Sequence, residues 1–207
     1  LVLVHLASIF SLEDSKSKDI YNANVSFGLD VLNNIEMEKL TNIIYTNSIY
    51  SLDSEYKNYM YTMTKNDFSK ILEAYKKHYN FQIQEFFLDN TYGAGDTRGK
   101  LLQLLIDSSM KNKALEIKYP DKFISLTDVN DVIDLIFNKI DSVSSSKLVV
   151  SSKKQYQIQS IKDFIDSKQN NKILKKENSI KFENEIFELY LSEDKIETYI
   201  QKEIFDE

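Results

Sequence analysis

Apolar and polar positions alternate between two periods along this 207-residue chain. Leu1 to Ala7 (Leu-Val-Leu-Val-His-Leu-Ala) is an apolar, β-rich run that predicts a buried strand. From Lys18 to Ile35, the residues Ile20, Val25, Leu29, Val31, Leu32 and Ile35 suit a helix with one buried face. Asn42 to Thr46 carries Ile43, Ile44 and Tyr45 and predicts a short strand. Between Tyr59 and Tyr79, the apolar residues Met60, Met63, Phe68, Ile71, Leu72 and Tyr75 follow the helical period. Phe81 to Leu88 then alternates loosely, as a strand does. A βαβαβ succession predicts a parallel sheet with helices on both faces. Ligands of such sheets sit at the carboxyl ends of the strands. Ala7-Ser8, Ser48 and Asn90 fall at such ends and are expected to converge on one crevice.

The second half reads as a mixture. Thr91 to Lys100 predicts a loop by its glycines, followed by a helix from Leu101 to Met110. Short strands are expected near Ala114 to Lys118 and Phe123 to Leu126, then a helix from Asp128 to Ile140 with Thr127 as its N-cap. Ser142 to Ser146 predicts a turn, Lys147 to Ile158 a strand and Ile161 to Asp166 a short helix. Beyond Ser167 the chain is rich in Lys, Asn and Glu, and only a terminal helix from Glu193 to Ile204 is expected.

Composition narrows the function classes. A net charge of −6 argues against a nucleic-acid partner, since binding to a phosphate backbone rests on clustered Lys and Arg. The chain has no cysteine, which excludes disulfides and thiolate chemistry. Its two histidines, His5 and His78, lie far apart in sequence, so no metal site is expected. No apolar run reaches the roughly 18 residues of a membrane span, so no membrane partner is expected. A cytoplasmic enzyme fits these limits. The chain starts without Met or a signal-peptide pattern, and Gly28, Gly93, Gly95 and Gly99 are its only glycines. No glycine-rich turn after a strand is there to cradle a pyrophosphate. The expectation is a fragment that has lost an upstream part; the other reading is a protein that binds no dinucleotide.

One constellation carries chemistry. Tyr61 and Lys65 form a Tyr-x-x-x-Lys pair one helical turn apart, on the same face of a helix. A neighbouring positive charge favours the phenolate and makes tyrosine a usable acid near neutral pH. Ser48, at the end of the preceding strand, is placed to hold the substrate oxygen that the tyrosine protonates. Read singly, Tyr61 is a ring packed between sheet and helix and Ser48 a strand terminator; the combination favours the functional reading. His5, within an apolar run, reads as a core histidine rather than a catalyst.

With these residues on one chain, several segments resemble an extended short-chain dehydrogenase/reductase of the NAD-dependent epimerase/dehydratase family, which acts on nucleotide sugars. Val4-His-Leu-Ala7 looks like the strand beside the cofactor, and Asn24-Val-Ser-Phe-Gly-Leu-Asp-Val-Leu32 like the helix that follows. Ile44-Tyr-Thr-Asn-Ser48 resembles the strand ending in the catalytic Ser or Thr, and Tyr61 to Lys65 the catalytic pair. Leu88-Asp-Asn-Thr-Tyr-Gly-Ala-Gly-Asp96 is similar to the family's Tyr-Gly-Pro-Gly-Asp loop. Phe123-Ile-Ser-Leu-Thr-Asp-Val129 looks like the strand-to-helix junction of the substrate lobe. The resemblance covers roughly residues 1 to 165.

It implies an α/β fold: the C-terminal part of a Rossmann-type doubly wound parallel sheet, plus a small α+β substrate lobe. A partial dinucleotide-binding domain over 1–95 is expected, without its first βαβ unit, interleaved with a substrate-binding lobe over 96–207. The implied cofactor is NAD or NADP, held by Ala7, Ser8, Asn24, Tyr61, Lys65 and Asn90. The implied substrate is a nucleotide sugar contacted by Ser48, Asn90, Arg98 and Lys100, with Arg98 suited to bidentate phosphate contact. Pairing into a homodimer through the Tyr61 helix is also implied.

Within the family, Asp96-Thr-Arg-Gly-Lys100 and the brief gap from Ser48 to Tyr61 resemble 4-ketoreductases of the CDP-abequose and CDP-paratose synthase type. That implies reduction of a nucleotide-linked 4-keto (dideoxy)sugar in surface polysaccharide biosynthesis. Ile49 and Tyr50 stand where 4,6-dehydratases carry an Asp-Glu pair, which disfavours dehydration. A 4-epimerase is the neighbouring alternative, and a non-catalytic fragment or nucleotide-sugar or partner-binding module the alternative of another class. The family's Gly-x-x-Gly-x-x-Gly turn is not matched here. A sheet without those strands exposes its interior and a hydrogen-bonding edge, so the isolated chain is expected to be unstable or to associate. A cooperative melt of a monomer in dilute solution would contradict this.

Overall fold

The computed structural model describes residues 1–11, 16–167, 174–178 and 187–205. The chain divides into two units. One comprises Leu1–Asp89, Asp134–Val149 and the described part of Asn184–Tyr190. The other comprises Asn90–Ile133 and the described parts of Val150–Glu183 and Leu191–Glu207. Among the described residues, no helix is long and apolar enough to cross a membrane.

In the first unit, the apolar run at the start becomes β1 (Val2–His5), and the stretch around Ile43 and Ile44 becomes β2 (Asn42–Ser48). The next alternating run is β3 (Gln82–Leu88). These strands pair in parallel, with Val4 opposite Ile44 and Tyr45 opposite Glu85. β6 (Ser146–Ser152) and β9 (Glu188–Ser192) complete a five-stranded sheet in the order β1-β2-β3-β6-β9. All seven residues of β2 are buried, as befits a strand covered on both faces.

The helix expected over residues 18–35 is less regular than its periodicity suggests. It runs as α1 (Ser17–Tyr21), a π turn at Asn22–Ser26 and α2 (Phe27–Asn34). π turns interrupt the regular ladder and recur at functional sites. α3 (Met60–Lys76) packs Phe68 and Leu72 with Leu32, Ile43, Tyr45 and Ile83 in one buried cluster. Gly28 makes the approach of α2 to α3 close: a Cβ there would overlap the buried Phe68 ring. Gly28→Ala is therefore expected to destabilise the chain by about 1–3 kcal/mol, read as a lower urea midpoint. An unchanged midpoint would contradict this packing.

The second unit carries β4 (Asn90–Tyr92), β5 (Phe123–Asp128), β7 (Lys154–Gln157) and β8 (Lys176–Asn178), in that spatial order. β4 and β5 are parallel, and the other two pairings are antiparallel. α4 (Leu101–Met110), α6 (Ile158–Ser167) and α7 (Ile196–Phe205) supply Leu105, Ile161 and Ile200 to its core, around Tyr156.

Several expectations for this half are corrected. Thr91 and Tyr92, read as the start of a loop, belong with Asn90 to a strand because Leu126–Asp128 offers it a parallel partner. Residues 114–118 form no strand; Leu115 and Ile117 instead pack against the core without joining a ladder. The run Lys147 to Ile158 breaks at Lys153, whose N–H turns to Ser192 O. The cap of α5 (Val129–Lys139) is Asp128 rather than Thr127: Asp128 Oδ1 accepts from Asn130 N at 2.8 Å, while Thr127 Oγ1 is buried without a partner among the described residues.

Candidate active site

Three elements of the first unit bring the central predicted residues together. β2 ends in Ser48, which caps a 3-10 turn over Ile49–Leu52 by accepting from Tyr50 N at 3.3 Å. A hydroxyl that accepts one bond still has its own proton to give. Asn47 Oδ1 accepts from Ser48 N and from Ser51 Oγ, both at 2.7 Å, so the turn is tied to the strand that launches it.

α3 places Tyr61 and Lys65 on the face turned to the sheet, and both are buried. Lys65, 2% exposed, donates from Nζ to Thr46 O at 2.8 Å and lies 5.1 Å from the centre of the Tyr45 ring. Burial brings its pKa down to about 7, with the Glu85 carboxylate opposing the shift. Burial also raises the hydroxyls of Tyr45 and Tyr50 above their ordinary range; Glu85 adds to the first and Tyr56 to the second. The Tyr61 ring meets Phe10 edge-on at 4.9 Å, and Phe10 stacks against Tyr50 at 6.1 Å. An aromatic wall thus lines the Tyr61 side of the unit.

Asn24 occupies the π turn and is buried. Its Oδ1 accepts from Ile9 N at 2.8 Å, and its Nδ2 donates to Ile9 O at 3.2 Å and Thr64 Oγ1 at 3.1 Å. The amide therefore holds the segment after β1 against the residue preceding Lys65. Ala7 and Ser8, in that segment, are exposed, and Ala7 lines an open groove of about 560 Å³ with Ile9 and Phe27.

The remaining predicted residues lie in the second unit. Asn90 donates from Nδ2 to Ser125 O at 3.3 Å. Lys100 Nζ reaches Thr91 O at 3.1 Å and Thr91 Oγ1 at 2.9 Å. Arg98 presents its guanidinium to Asp96 through Nε at 2.7 Å and Nη2 at 2.8 Å. These bonds hold the Asp96 carboxyl below its usual range. The bidentate edge that a phosphate would use faces Asp96, so an anion there would compete with that carboxylate.

His5 is the core residue its setting predicted. It is 4% exposed, with its ring 5.9 Å from Tyr45 and 4.9 Å from Phe68, and its Nε2 has no partner among the described residues. Burial holds its pKa down to about 4, and the charge of Lys65 adds to the effect. Because the folded value lies below the unfolded one of about 6.5, the stability that neutral His5 contributes is present above pH 6.5 and lost as pH falls toward 4. His5→Phe is expected to remove about 3 kcal/mol of that pH-dependent loss, read as the difference between wild-type and variant urea titrations at pH 4 and pH 7. Parallel curves would contradict the assignment.

Asn47 and Glu85 were not among the predicted residues. The signal for Glu85 was in plain view, as an acid within the apolar strand Gln82–Leu88. Asn47 gave no such signal, since an amide beside a strand-terminal serine is ordinary turn chemistry.

Residues 2–151 match the profile of the NAD dependent epimerase/dehydratase family. The chain belongs to that family. Its resemblance to CDP-abequose synthase of Yersinia pseudotuberculosis is 28% identity over 82 residues, 40% of this chain and 29% of that protein. The UDP-N-acetylglucosamine 4-epimerase of Methanobrevibacter ruminantium superposes with a TM-score of 0.75 at 12% identity, over 98% of this chain and 75% of that one. The UDP-glucose 4-epimerase of Thermus thermophilus, solved as a complex with NAD, gives a TM-score of 0.68 at 14% identity, over 81% of this chain and 61% of that one. At such identities the structures show a shared fold, a mostly parallel sheet flanked by helices of the Rossmann-like kind. The chain spans less than a third of the named relative's length and 61% of the Thermus enzyme's.

Proposed function

We propose that this chain carries the proton-transfer site of an NAD(P)-dependent oxidoreductase that reduces a nucleotide-linked 4-keto sugar. The observation that carries the proposal is the buried Lys65 one helical turn from Tyr61, on a helix packed against the strand that ends in Ser48. The 28% identity over 82 residues to CDP-abequose synthase supports a nucleotide-linked sugar, the resemblance of Asp96–Lys100 and of the Ser48–Tyr61 gap to 4-ketoreductases supports the 4-keto group, and the family supports the dinucleotide.

The residues present fit the nicotinamide-ribose end of such a cofactor. An ammonium has three protons to donate; Thr46 O takes one from Lys65 Nζ, and a ribose diol offers acceptors for the others. Ala7, Ser8, Asn24 and Asn90 belong to the same reading as cofactor contacts. When bound, the dinucleotide supplies the hydride that goes to C4.

The chain's own groups manage the oxygen. Tyr61 gives its hydroxyl proton to the C4 oxygen as negative charge develops there. Ser48, with its hydroxyl already accepting from Tyr50 N, donates to the same oxygen and stabilises that charge as it forms. Lys65 stabilises the phenolate that Tyr61 leaves behind, its low-polarity setting strengthening the attraction. Arg98 and Lys100 serve the reading as contacts to the nucleotide diphosphate.

The test is the consumption of NADH or NADPH with a CDP-linked 4-keto sugar. One dinucleotide oxidised per sugar reduced is the expected result. Interconversion of 4-epimers without net oxidation would replace the reductase by an epimerase, and no turnover by the folded chain would remove the proposal.

A further inference from the structure

Glu85 lies on β3, between Gln84 and Phe86, and is 1% exposed. Burying a carboxylate costs several kcal/mol unless it is paired and hydrogen-bonded, and an apolar residue in the same space usually costs less. Glu85 has both kinds of partner. Lys147 on β6, part-exposed at the edge of solvent, places its Nζ 3.5 Å from Oε2. Asn47 Nδ2 donates to Oε1 at 2.7 Å.

That second bond decides which way the Asn47 amide faces. With Nδ2 committed to the carboxylate, Oδ1 faces the other way, toward Ser48 N and Ser51 Oγ, and accepts from both. An amide turned over would set its NH2 against the Ser48 N–H and its oxygen against the carboxylate, losing both of those bonds; the Ser51 hydroxyl, which can accept as well as donate, does not decide between the two. A polar path thus runs within one unit of the chain, from Lys147 by an ion pair to Glu85, then by hydrogen bonds through Asn47 to the turn carrying Ser48.

We propose that Glu85 is a positioning residue for this site: through Asn47 it fixes the Ser48–Ser51 turn, and from β3, across the ladder from the Tyr45 whose ring lies under Lys65, its charge acts on Lys65. The inference rests on the reading of Ser48, Tyr61 and Lys65 given above. The titratable groups around Lys65 among the described residues are His5 from β1, Tyr45 from β2 and Glu85 from β3, with Tyr61 preceding it on α3. Glu85 is the one acid among them, and its charge opposes the effect of burial on Lys65.

The test uses the folded full chain with 13C-labelled lysine. Glu85→Gln keeps an acceptor for Asn47 and removes the charge, so Lys65 is expected to titrate about one pH unit lower than in wild type. At pH 8 that shift leaves about a tenth of the ammonium, and kcat is expected to fall about tenfold with KM within about twofold. Glu85→Asp should restore part of the loss. In Glu85→Leu, which removes the acceptor as well, the Ser48 amide is expected to exchange with solvent about tenfold faster. An unmoved Lys65 midpoint in Glu85→Gln overturns the electrostatic role, even where the leucine variant fails to fold. Unchanged Ser48 exchange in a folded Glu85→Leu overturns the positioning role. Both readouts are independent of turnover, so a fully active Tyr61→Phe, which would sink the reductase reading, leaves them to be judged separately.

Discussion

Replacing Tyr61 by Phe is expected to lower turnover of a nucleotide-linked 4-keto sugar about a thousandfold, within the range for loss of a general acid. The substitution removes one oxygen from a buried ring and leaves the edge-on contact with Phe10 in place, so the fold should hold. Dinucleotide affinity is expected to change by less than about twofold, because binding would rest on Lys65 and the segment after β1 rather than on the hydroxyl. Steady-state kinetics and calorimetry of the two proteins check both halves. Turnover equal to wild type would remove Tyr61 from the chemistry.

Lys65→Met should move activity and stability in opposite directions. Lys65 is 2% exposed, its pKa is brought down to about 7, and its Nζ donates to Thr46 O. Since the folded value lies below the ordinary one near 10.5, the unfolded chain binds the proton more tightly, and stability rises as pH climbs from 7 toward 10.5. Methionine fills a similar volume without the charge. The variant is therefore expected to gain about 1–4 kcal/mol at neutral pH while losing at least about a hundredfold in turnover. Its stability should also lose the rise above pH 7. Thermal melts across pH, paired with kinetics, test this; a variant both less stable and fully active would contradict the assigned environment.

Much of the first unit was legible because its signals are local. The apolar runs that became β1, β2 and β3 and the periodic stretch that became α3 each state their own structure, and the parallel pairing follows from the helices between them. Asn22–Ser26 was not legible, because the apolar period runs through it and a π turn changes the hydrogen bonds rather than the pattern. In the second unit, β4 is three residues long and exists through pairing with residues more than thirty positions away, which no local window contains. The cap at Asp128 was missed by one residue, where two good capping side chains stand together.

The candidate site rests, in the sequence, on residue type and spacing at Ser48, Tyr61 and Lys65. What surrounds them was not legible there. That Asn24 would span from Ile9 to Thr64, and that a carboxylate on the next strand would orient Asn47, depend on register between segments 15 to 40 positions apart. Arg98 suits a phosphate by type, and its bonds to Asp96, which a bound phosphate would have to compete with, also arise only in the folded loop.

The most direct test of the central claim follows the hydride itself. The folded chain would be given C4-deuterated NADH or NADPH with a CDP-linked 4-keto sugar, and the product read by NMR. Deuterium at C4 of the sugar, in proportion to the dinucleotide oxidised, is the predicted result. A folded chain that leaves both dinucleotide and sugar unchanged would contradict the account.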